Sequence, residues 1–293
     1  MKRIISKKYF VLMLVVAGML SSCGDPVVDI NETVYTSKIA VNGFLYPNEP
    51  VKDIFITRNF EINTPIDTTT LFLTPQTNAA VVKINDILLQ FDQATKTYFN
   101  NNINVEYGTT YRLDIEAVVD GIQLNTYCYT TTPNEGFRVL DNDLDTLKYR
   151  QSDIMINFFP SPGTTFYVFS IIADSASYDN FITNNPLLPN YPEDEFNLNY
   201  NSFRFQWNML LNINSYSQDP IEFQIRDFDT WFYSSYKVIV YAGDENFKDY
   251  FLTAKRVQQF DGNFIEPEFH FAGDGIGVFG SAIRDTVTFT LIP

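Results

Sequence analysis

The sequence predicts a mostly β protein with two domains: an N-terminal immunoglobulin- or fibronectin-like β-sandwich, followed by a second β-rich domain with one packed helix. Two observations predict this fold class. Short runs of alternating apolar and polar residues are separated by turn residues, and no helical period appears in the first region, residues 37–135. In addition, 45% of the residues are hydrophobic, including 27 Phe and 18 Tyr, which provides enough apolar surface for two folded cores.

Residues 1–22 are predicted to be a lipoprotein signal peptide. Four basic residues precede an apolar run at positions 9–20, which is shorter than the roughly 20 residues of a membrane-spanning helix. The run ends in Leu20-Ser21-Ser22-Cys23, which resembles the lipobox of bacterial lipoproteins. Such a motif implies cleavage between Ser22 and Cys23 and acylation of the Cys23 thiol, for example by palmitate, so we expect attachment to a membrane through an N-terminal lipid. The alternative is an ordinary signal peptide with an incidental cysteine.

Residues 23–36 are polar, acidic and contain proline, and they are predicted to form a tether between the membrane and the fold. Residues 37–135 are predicted to form the β-sandwich domain, because their apolar runs are joined by turn residues. Asp120-Gly121 tolerates positive φ and therefore favours a tight hairpin. The apolar runs lie at 39–41, 54–56, 80–84, 87–91, 111–118 and 122–130.

Residues 136–152 are predicted to form an acidic linker, and residues 153–293 the β-rich C-terminal domain. Strands of the second domain are predicted near 154–158, 166–172, 203–213, 221–225, 236–241 and 278–292.

One helix is predicted to follow Asp244, whose side chain suits an N-cap, while Lys255 and Arg256 suit its C-terminal end. Its apolar stripe, at spacings of three and four, is Phe247, Tyr250, Phe251, Ala254 and Val257.

A long irregular segment at 177–202 is rich in Asn, Pro and aromatic residues. Loops of this length usually have a function or are disordered. Exposed aromatic side chains are typical of binding hot spots, so we expect this segment to dock onto an integral outer-membrane β-barrel protein. The predicted partner-binding residues are Tyr178, Phe181, Tyr191, Phe196 and Tyr200.

The charge of the chain argues against nucleic-acid binding. Residues 1–22 hold four basic and no acidic residues, so their removal changes the formal net charge from −15 to −19. Such a surface repels nucleic acid and anionic lipid headgroups.

No residue pattern predicts a catalytic, cofactor or metal site. His270 is the only histidine and is expected to be a solvated or hydrogen-bonded residue on the polar face of a strand. A zinc site would need carboxylates beside it, since one His and one unmodified Cys cannot supply three ligands. Asp141, Asp143 and Asp145 have the spacing of a calcium loop, but its glycine and final glutamate are missing. Cys128 alternates with two tyrosines on a predicted strand, which favours a buried, inert thiol.

Several stretches carry a resemblance to a known family: 107–113, 166–169, 249–251, 260–267 and 275–280. They resemble parts of a lipoprotein family abundant in Bacteroidota, called domain of unknown function 4249. The first three stretches resemble, in this order, its G-x-x-Y-x-L strand, the opening of its second domain and its helix, and the last two together resemble its closing pattern. The resemblance implies an outer-membrane lipoprotein with an immunoglobulin-like first domain that accompanies TonB-dependent transporters, and it brings no catalytic residues. Glu268 and Val278 depart from the residues usual in that family.

We therefore expect a non-enzymatic, lipid-anchored binding or accessory lipoprotein of an outer membrane, associated with a TonB-dependent transporter or another outer-membrane β-barrel. Two alternatives stay open. One is an accessory subunit of an envelope assembly, secretion or adhesion machine, and the other is a glycan hydrolase that uses carboxylates. The sequence also leaves open whether the protein faces the cell surface or the periplasm.

Overall fold

The computed structural model of the chain describes residues 35–61, 64–141, 143–185, 192–198, 207–213, 217–254 and 267–293. The predicted signal peptide, the cleavage at Ser22, the lipid attachment at Cys23 and nearly all of the tether lie outside these residues. Residues 37–293 belong to one structural unit. Strands dominate this unit, and the predicted mostly β, sandwich-rich fold with a packed helix is confirmed.

The described ranges contain 17 strands and four helices. The strands are β1 (Ile39–Leu45), β2 (Pro50–Arg58), β3 (Val81–Ile84), β4 (Ile87–Leu88), β5 (Gln90–Asp92), β6 (Thr97–Asn104), β7 (Thr110–Val119), β8 (Ile122–Thr131), β9 (Arg138–Val139), β10 (Asp143–Lys148), β11 (Ile154–Phe159), β12 (Phe166–Ala173), β13 (Trp207–Asn212), β14 (Ile221–Ile225), β15 (Ser235–Gly243), β16 (Phe271–Gly273) and β17 (Gly275–Ile292). The helices are α1 (Thr68–Leu71), α2 (Pro75–Asn78), α3 (Glu193–Leu198) and α4 (Glu245–Thr253).

Three sheets are built from these strands. The largest has nine strands in the order β13-β12-β15-β17-β1-β2-β6-β5, with β10 also paired to β17. A five-stranded sheet has the order β16-β8-β7-β3-β4, and a three-stranded sheet has the order β14-β11-β9. Each smaller sheet shares a hydrophobic core with a different part of the large sheet.

The first core joins the five-stranded sheet to the β1, β2 and β6 part of the large sheet. Strand β7 shows why its sequence folds this way: Tyr111, Leu113, Ile115 and Ala117 are buried, while Arg112 and Glu116, which alternate with them, are exposed. Alternation of this kind is the expected pattern for an antiparallel sheet that packs one face on the core and exposes the other face to solvent. The predicted β7–β8 hairpin is confirmed, with Asp120 and Gly121 at positive φ.

The second core joins the three-stranded sheet to β12, β15 and the second half of β17. Its centre is aromatic: Phe158 lies 5.0 Å from Tyr167 and 5.9 Å from Phe169, measured between ring centroids. Phe223 stacks on Phe169 at 3.7 Å. The high aromatic content of the chain is therefore used here to fill the core.

Strand β17 links the two cores, and this corrects the prediction of separate domains at 37–135 and 153–293. Its first half, 275–281, pairs in parallel with β1, and its second half, 282–290, pairs antiparallel with β15. A strand of 18 residues is about 60 Å long, which is enough to run through both sandwiches. The two cores do divide near residues 128–137, but the last strand completes the sheet of the first.

The predicted linker at 136–152 is also corrected, because it contains two strands of the second sandwich. β9 pairs with β11, and β10 pairs in parallel with β17. Leu144 and Leu147 pack against the second core, while Asp143 and Asp145 stay exposed. Two leucines thus hold an otherwise polar strand in place.

Helix α4 confirms the prediction of a packed helix after Asp244. The Asp244 carboxylate accepts a hydrogen bond from the Phe247 backbone N at 2.9 Å, as an N-cap does. Phe247 is buried with Phe166 and Val168 on the face of the large sheet that points away from both sandwich cores. The predicted C-terminal part, Lys255 to Val257, lies outside the described residues. None of the helices in the described ranges has both the length and the apolar character of a membrane span.

Candidate functional site

The predicted docking segment does not present its aromatic residues as expected. Phe196 is 1% exposed and Phe181 is 5% exposed, so the prediction that they are surface residues is wrong. Both rings pack on Phe232, with centroids 6.2 Å and 5.5 Å from it, and Tyr178 packs on Phe196 at 5.4 Å. A 3-10 turn at Tyr178–Asn180 and helix α3 fold this part of the segment onto the second core.

The other two predicted docking residues, Tyr191 and Tyr200, lie outside the described residues.

Cys128 is buried, as predicted, and only 1% of its surface is exposed. Burial raises the pKa of its thiol to about 12, and the nearby Asp244 carboxylate adds to this. A thiol with this pKa stays protonated at neutral pH and is a poor nucleophile.

An exposed aromatic surface lies on β7 and β8 instead. Tyr127 and Tyr129 are 40% and 50% exposed. The Arg112 guanidinium lies over both rings, 4.6 Å and 5.7 Å from their centroids, and is paired with Asp114 at 2.6 Å. We call these four residues the tyrosine face. Tyrosine and arginine are among the residue types that are enriched at protein interfaces.

The tip of the β7–β8 hairpin lies beside the beginning of the folded unit. Ser37 Oγ donates a hydrogen bond to the Asp120 carboxylate at 2.7 Å, and Arg58 pairs with the same carboxylate. Ile122, two residues after Asp120, is exposed. An antiparallel strand rises about 3.4 Å per residue, so Tyr127 and Tyr129 lie about 17 Å and 24 Å from Ile122 along β8.

A polar groove of 450 Å³ lies where the end of β8, the 162–166 loop and the start of α4 meet. The partly buried Asp244 carboxylate lines it and accepts hydrogen bonds from Thr130 Oγ1 at 2.5 Å, Phe247 N at 2.9 Å and Ser281 N at 3.1 Å. Burial raises the pKa of Asp244, and the hydrogen bonds offset part of this effect. These hydrogen bonds connect β8, α4 and β17, so the role of the Asp244 carboxylate is structural.

Helix α4 also brings together three side chains that are far apart in the sequence. His270 Nε2 lies 2.9 Å from Asp249 Oδ2, and one ligand atom from each of Asp249, Glu268 and His270 lies within 4.8 Å of the other two. We call these residues the Asp–Glu–His cluster. In the described residues, they are the one group of three or more His, Cys, Asp or Glu side chains arranged closely enough to hold a metal ion.

The sequence predicts a solvated or hydrogen-bonded His270 on the polar face of a strand. The structure has the hydrogen bond, but it places His270 directly before β16 rather than in a strand. Sequence reasoning missed the partner, because Asp249 precedes His270 by 21 residues and belongs to a helix. The imidazole is thus paired with a carboxylate of the neighbouring helix.

The aspartates with calcium-loop spacing are not brought together in this way. Asp143 Oδ1 accepts a hydrogen bond from Asp145 N at 3.1 Å, and the two residues belong to the irregular start of β10. Asp141, Asp143 and Asp145 are all exposed and do not form a metal-ligating group among the described residues.

Comparison with known proteins identifies a family match. The family model described as "Domain of unknown function (DUF4249)" matches residues 25–281. No curated protein matches the chain significantly.

Solved structures give weak matches. Titin domains Z1Z2 in complex with telethonin are 10% identical, with a TM-score of 0.21, over 88% of this chain and 93% of that chain. A chimeric titin Z1Z2 carrying a peptide from decorin is 9% identical, with a TM-score of 0.21, over 88% of this chain and 94% of that chain. At such TM-scores, the likeness carries no argument about this chain.

Proposed function

The chain belongs to the DUF4249 family, and from this premise we propose that it is a lipid-anchored, non-enzymatic binding or accessory lipoprotein of a Gram-negative outer membrane of the Bacteroidota type. The lipobox-like Leu20-Ser21-Ser22-Cys23 supports the anchor, because the thiol of Cys23 would carry the acyl chains. Two or three chains hold a protein stably, whereas one binds reversibly.

The tyrosine face is the observation that carries the binding role. Its two tyrosines are exposed on a sheet whose other outward residues are mostly polar, and the Arg112 guanidinium stacked on them holds their rings in place. Ordered aromatic side chains lose little conformational entropy when a partner covers them, and each contributes about 2 kcal/mol or more at a hot spot.

The partner that fits best is an integral β-barrel of the same membrane, such as a TonB-dependent transporter. Residues 23–36 span at most about 50 Å when fully extended, so an anchored chain stays close to the bilayer. The hairpin that carries the tyrosine face has its tip beside Ser37, where the tether enters the fold. The tyrosines lie about 17 Å and 24 Å along β8 from this tip, so a short tether keeps them within reach of membrane-embedded partners.

A pull-down with paired variants tests this proposal. The full-length chain, solubilised in detergent and recovered through a C-terminal tag, should bring down an outer-membrane β-barrel. Tyr127→Thr/Tyr129→Thr should reduce the recovery at least about tenfold, since one hot-spot side chain corresponds to more than that in affinity. The melting temperature should change little, because exposed strand residues leave no cavity when replaced.

Phe55→Thr is the matched control, because Phe55 is an exposed strand aromatic on a different sheet. It should leave the recovery unchanged. Recovery of the chain alone, under conditions that preserve other membrane complexes, would overturn the proposal. Equal losses in the tyrosine and Phe55 variants would show that the tyrosine face is not the contact surface.

A further inference from the structure

We propose that Asp249, Glu268 and His270 form a binding site for one divalent first-row transition-metal ion, with Zn²⁺ as the best fit. The ion would join helix α4 to the segment that leads into β16. The sequence alone predicted no metal site, because the imidazole and the two carboxylates come together only in the fold.

The spacing of the three side chains suits such an ion. Ligand atoms at about 2.0–2.1 Å from a tetrahedral Zn²⁺ are about 3.3 Å apart. The His270 Nε2 and Asp249 Oδ2 atoms are 2.9 Å apart, and all three ligand atoms lie within 4.8 Å of one another. Small side-chain adjustments therefore bring the three atoms into coordination distance, and solvent supplies the fourth ligand.

The donor set also decides which ion is favoured. Imidazole nitrogen and carboxylate oxygen are both zinc ligands, and imidazole favours zinc and its neighbours over Mg²⁺ and Ca²⁺, which take oxygen ligands. The two carboxylates neutralise the charge of the ion. Lys248 lies 3.6 Å from Asp249 Oδ1, the oxygen that does not face His270, so it leaves Oδ2 open to the ion.

The protein positions the ligands before any ion binds. Asp249 belongs to the capped helix α4, and its side chain is only 13% exposed. Thr253 Oγ1 accepts a hydrogen bond from Glu268 N at 3.0 Å and donates one to the Asp249 carbonyl oxygen at 2.7 Å, which ties the two ligand-bearing segments together. His270 directly precedes Phe271, whose backbone is paired with Cys128.

An ion at this position would cross-link α4 to the end of the five-stranded sheet. Ions that bind the native state alone stabilise it by mass action, so a concentration of 100 times Kd should lower the unfolding equilibrium constant about 100-fold. The site is thus expected to report zinc binding as a rise in melting temperature, independent of any catalytic activity.

The experiment uses the full-length chain in detergent, purified through a tag without histidine and stripped of metal with a chelator. Because His270 is the only histidine, a histidine-labelled sample gives one set of imidazole NMR signals. One equivalent of ZnCl₂ should shift this set, and calorimetry should give a stoichiometry of about one. A roughly 100-fold excess of MgCl₂ or CaCl₂ should not displace the ion.

Variants distinguish the cluster from the rest of the acidic surface. His270→Ala should abolish the binding, and Glu268→Gln should weaken it at least about tenfold. Glu245→Gln is the matched control, because Glu245 is an exposed carboxylate of the same helix that also contacts Lys248. It should bind zinc as the native chain does.

Two results would overturn the site. The first is an imidazole spectrum of the native chain that does not change up to about 1 mM ZnCl₂, a concentration far above the Kd of a three-ligand site. The second is zinc binding that survives in His270→Ala with the native stoichiometry, since the ion would then bind elsewhere. The first readout needs no variant, so it decides the proposal even if a substituted chain fails to fold.

Discussion

The carboxylate of Asp244 connects α4, β8 and β17 through its contacts with Phe247, Thr130 and Ser281. Burial raises the pKa of this carboxyl above its ordinary value. A folded-state pKa above that of the unfolded chain means that the native state binds the proton more tightly. The stability from this group is therefore fully present below the unfolded pKa and is lost as the pH rises through the folded pKa.

Asp244→Asn removes this titration while it keeps an oxygen for the cap. We expect the native chain to gain stability relative to the variant as the pH falls from about 7 to about 4. Urea unfolding followed by circular dichroism at several pH values measures the difference. Asp86→Asn, at an exposed turn, is the control for the replacement of an aspartate by asparagine. A difference that narrows at low pH would show that the hydrogen bonds outweigh burial.

Single residues also show how far the sequence can predict a site. The burial of Cys128 could be predicted, because alternation along one strand sets which side chains face the core. The burial of Phe181 and Phe196 could not, because an irregular segment has no period and their common neighbour, Phe232, lies far along the chain. The composition of the segment predicted a docking loop. In the folded protein, these aromatic side chains pack in the core instead.

Helix α4 lies so close to the large sheet that the strand beneath it needs glycine. A Cβ atom at Gly243 would collide with the Phe247 ring and lie 2.8 Å from its Cγ. The ring is buried against Phe166, Val168 and Ala282. Close packing of the helix therefore depends on the absence of a side chain at Gly243.

Gly243→Ala should lower the free energy of unfolding by about 1–3 kcal/mol, as overpacking of a buried site does. Phe247→Leu should cost stability by itself, but it should reduce the penalty of the alanine in the double variant, because the smaller side chain relieves the collision. Denaturant unfolding of the two single variants and the double variant measures this coupling. Additive effects would contradict the contact.

The sequence predicts where strands occur better than it predicts which strands pair with each other. The period of two in β7, β8 and the last residues of β17 arises from burial of one face, so it is visible locally. The pairing of β17 with β1 joins residues such as Ile39 and Gly275, and no local pattern encodes such a contact. Strand β10 was missed for another reason: only Leu144 and Leu147 mark its inner face, and the aspartates around them resemble a linker.

For the molecule as a whole, charge and attachment act together. The chain without residues 1–22 carries a formal net charge of −19, which opposes adsorption to anionic lipid. In the described ranges no helix can span a bilayer. In the proposed arrangement, the lipid on Cys23 alone holds the acidic fold at the membrane, and the tyrosine face works within the reach of the tether.

Metabolic labelling with a fatty-acid analogue, followed by membrane fractionation, tests this arrangement most directly. The native chain should take up the label and stay in membranes washed with high salt, and the control Cys128→Ala should do the same because that thiol is buried. Cys23→Ser should lose the label and appear in the soluble fraction, since the two or three acyl chains of a lipoprotein supply the binding energy. A Cys23→Ser chain that stays in washed membranes, or that keeps the label, would contradict the lipid anchor.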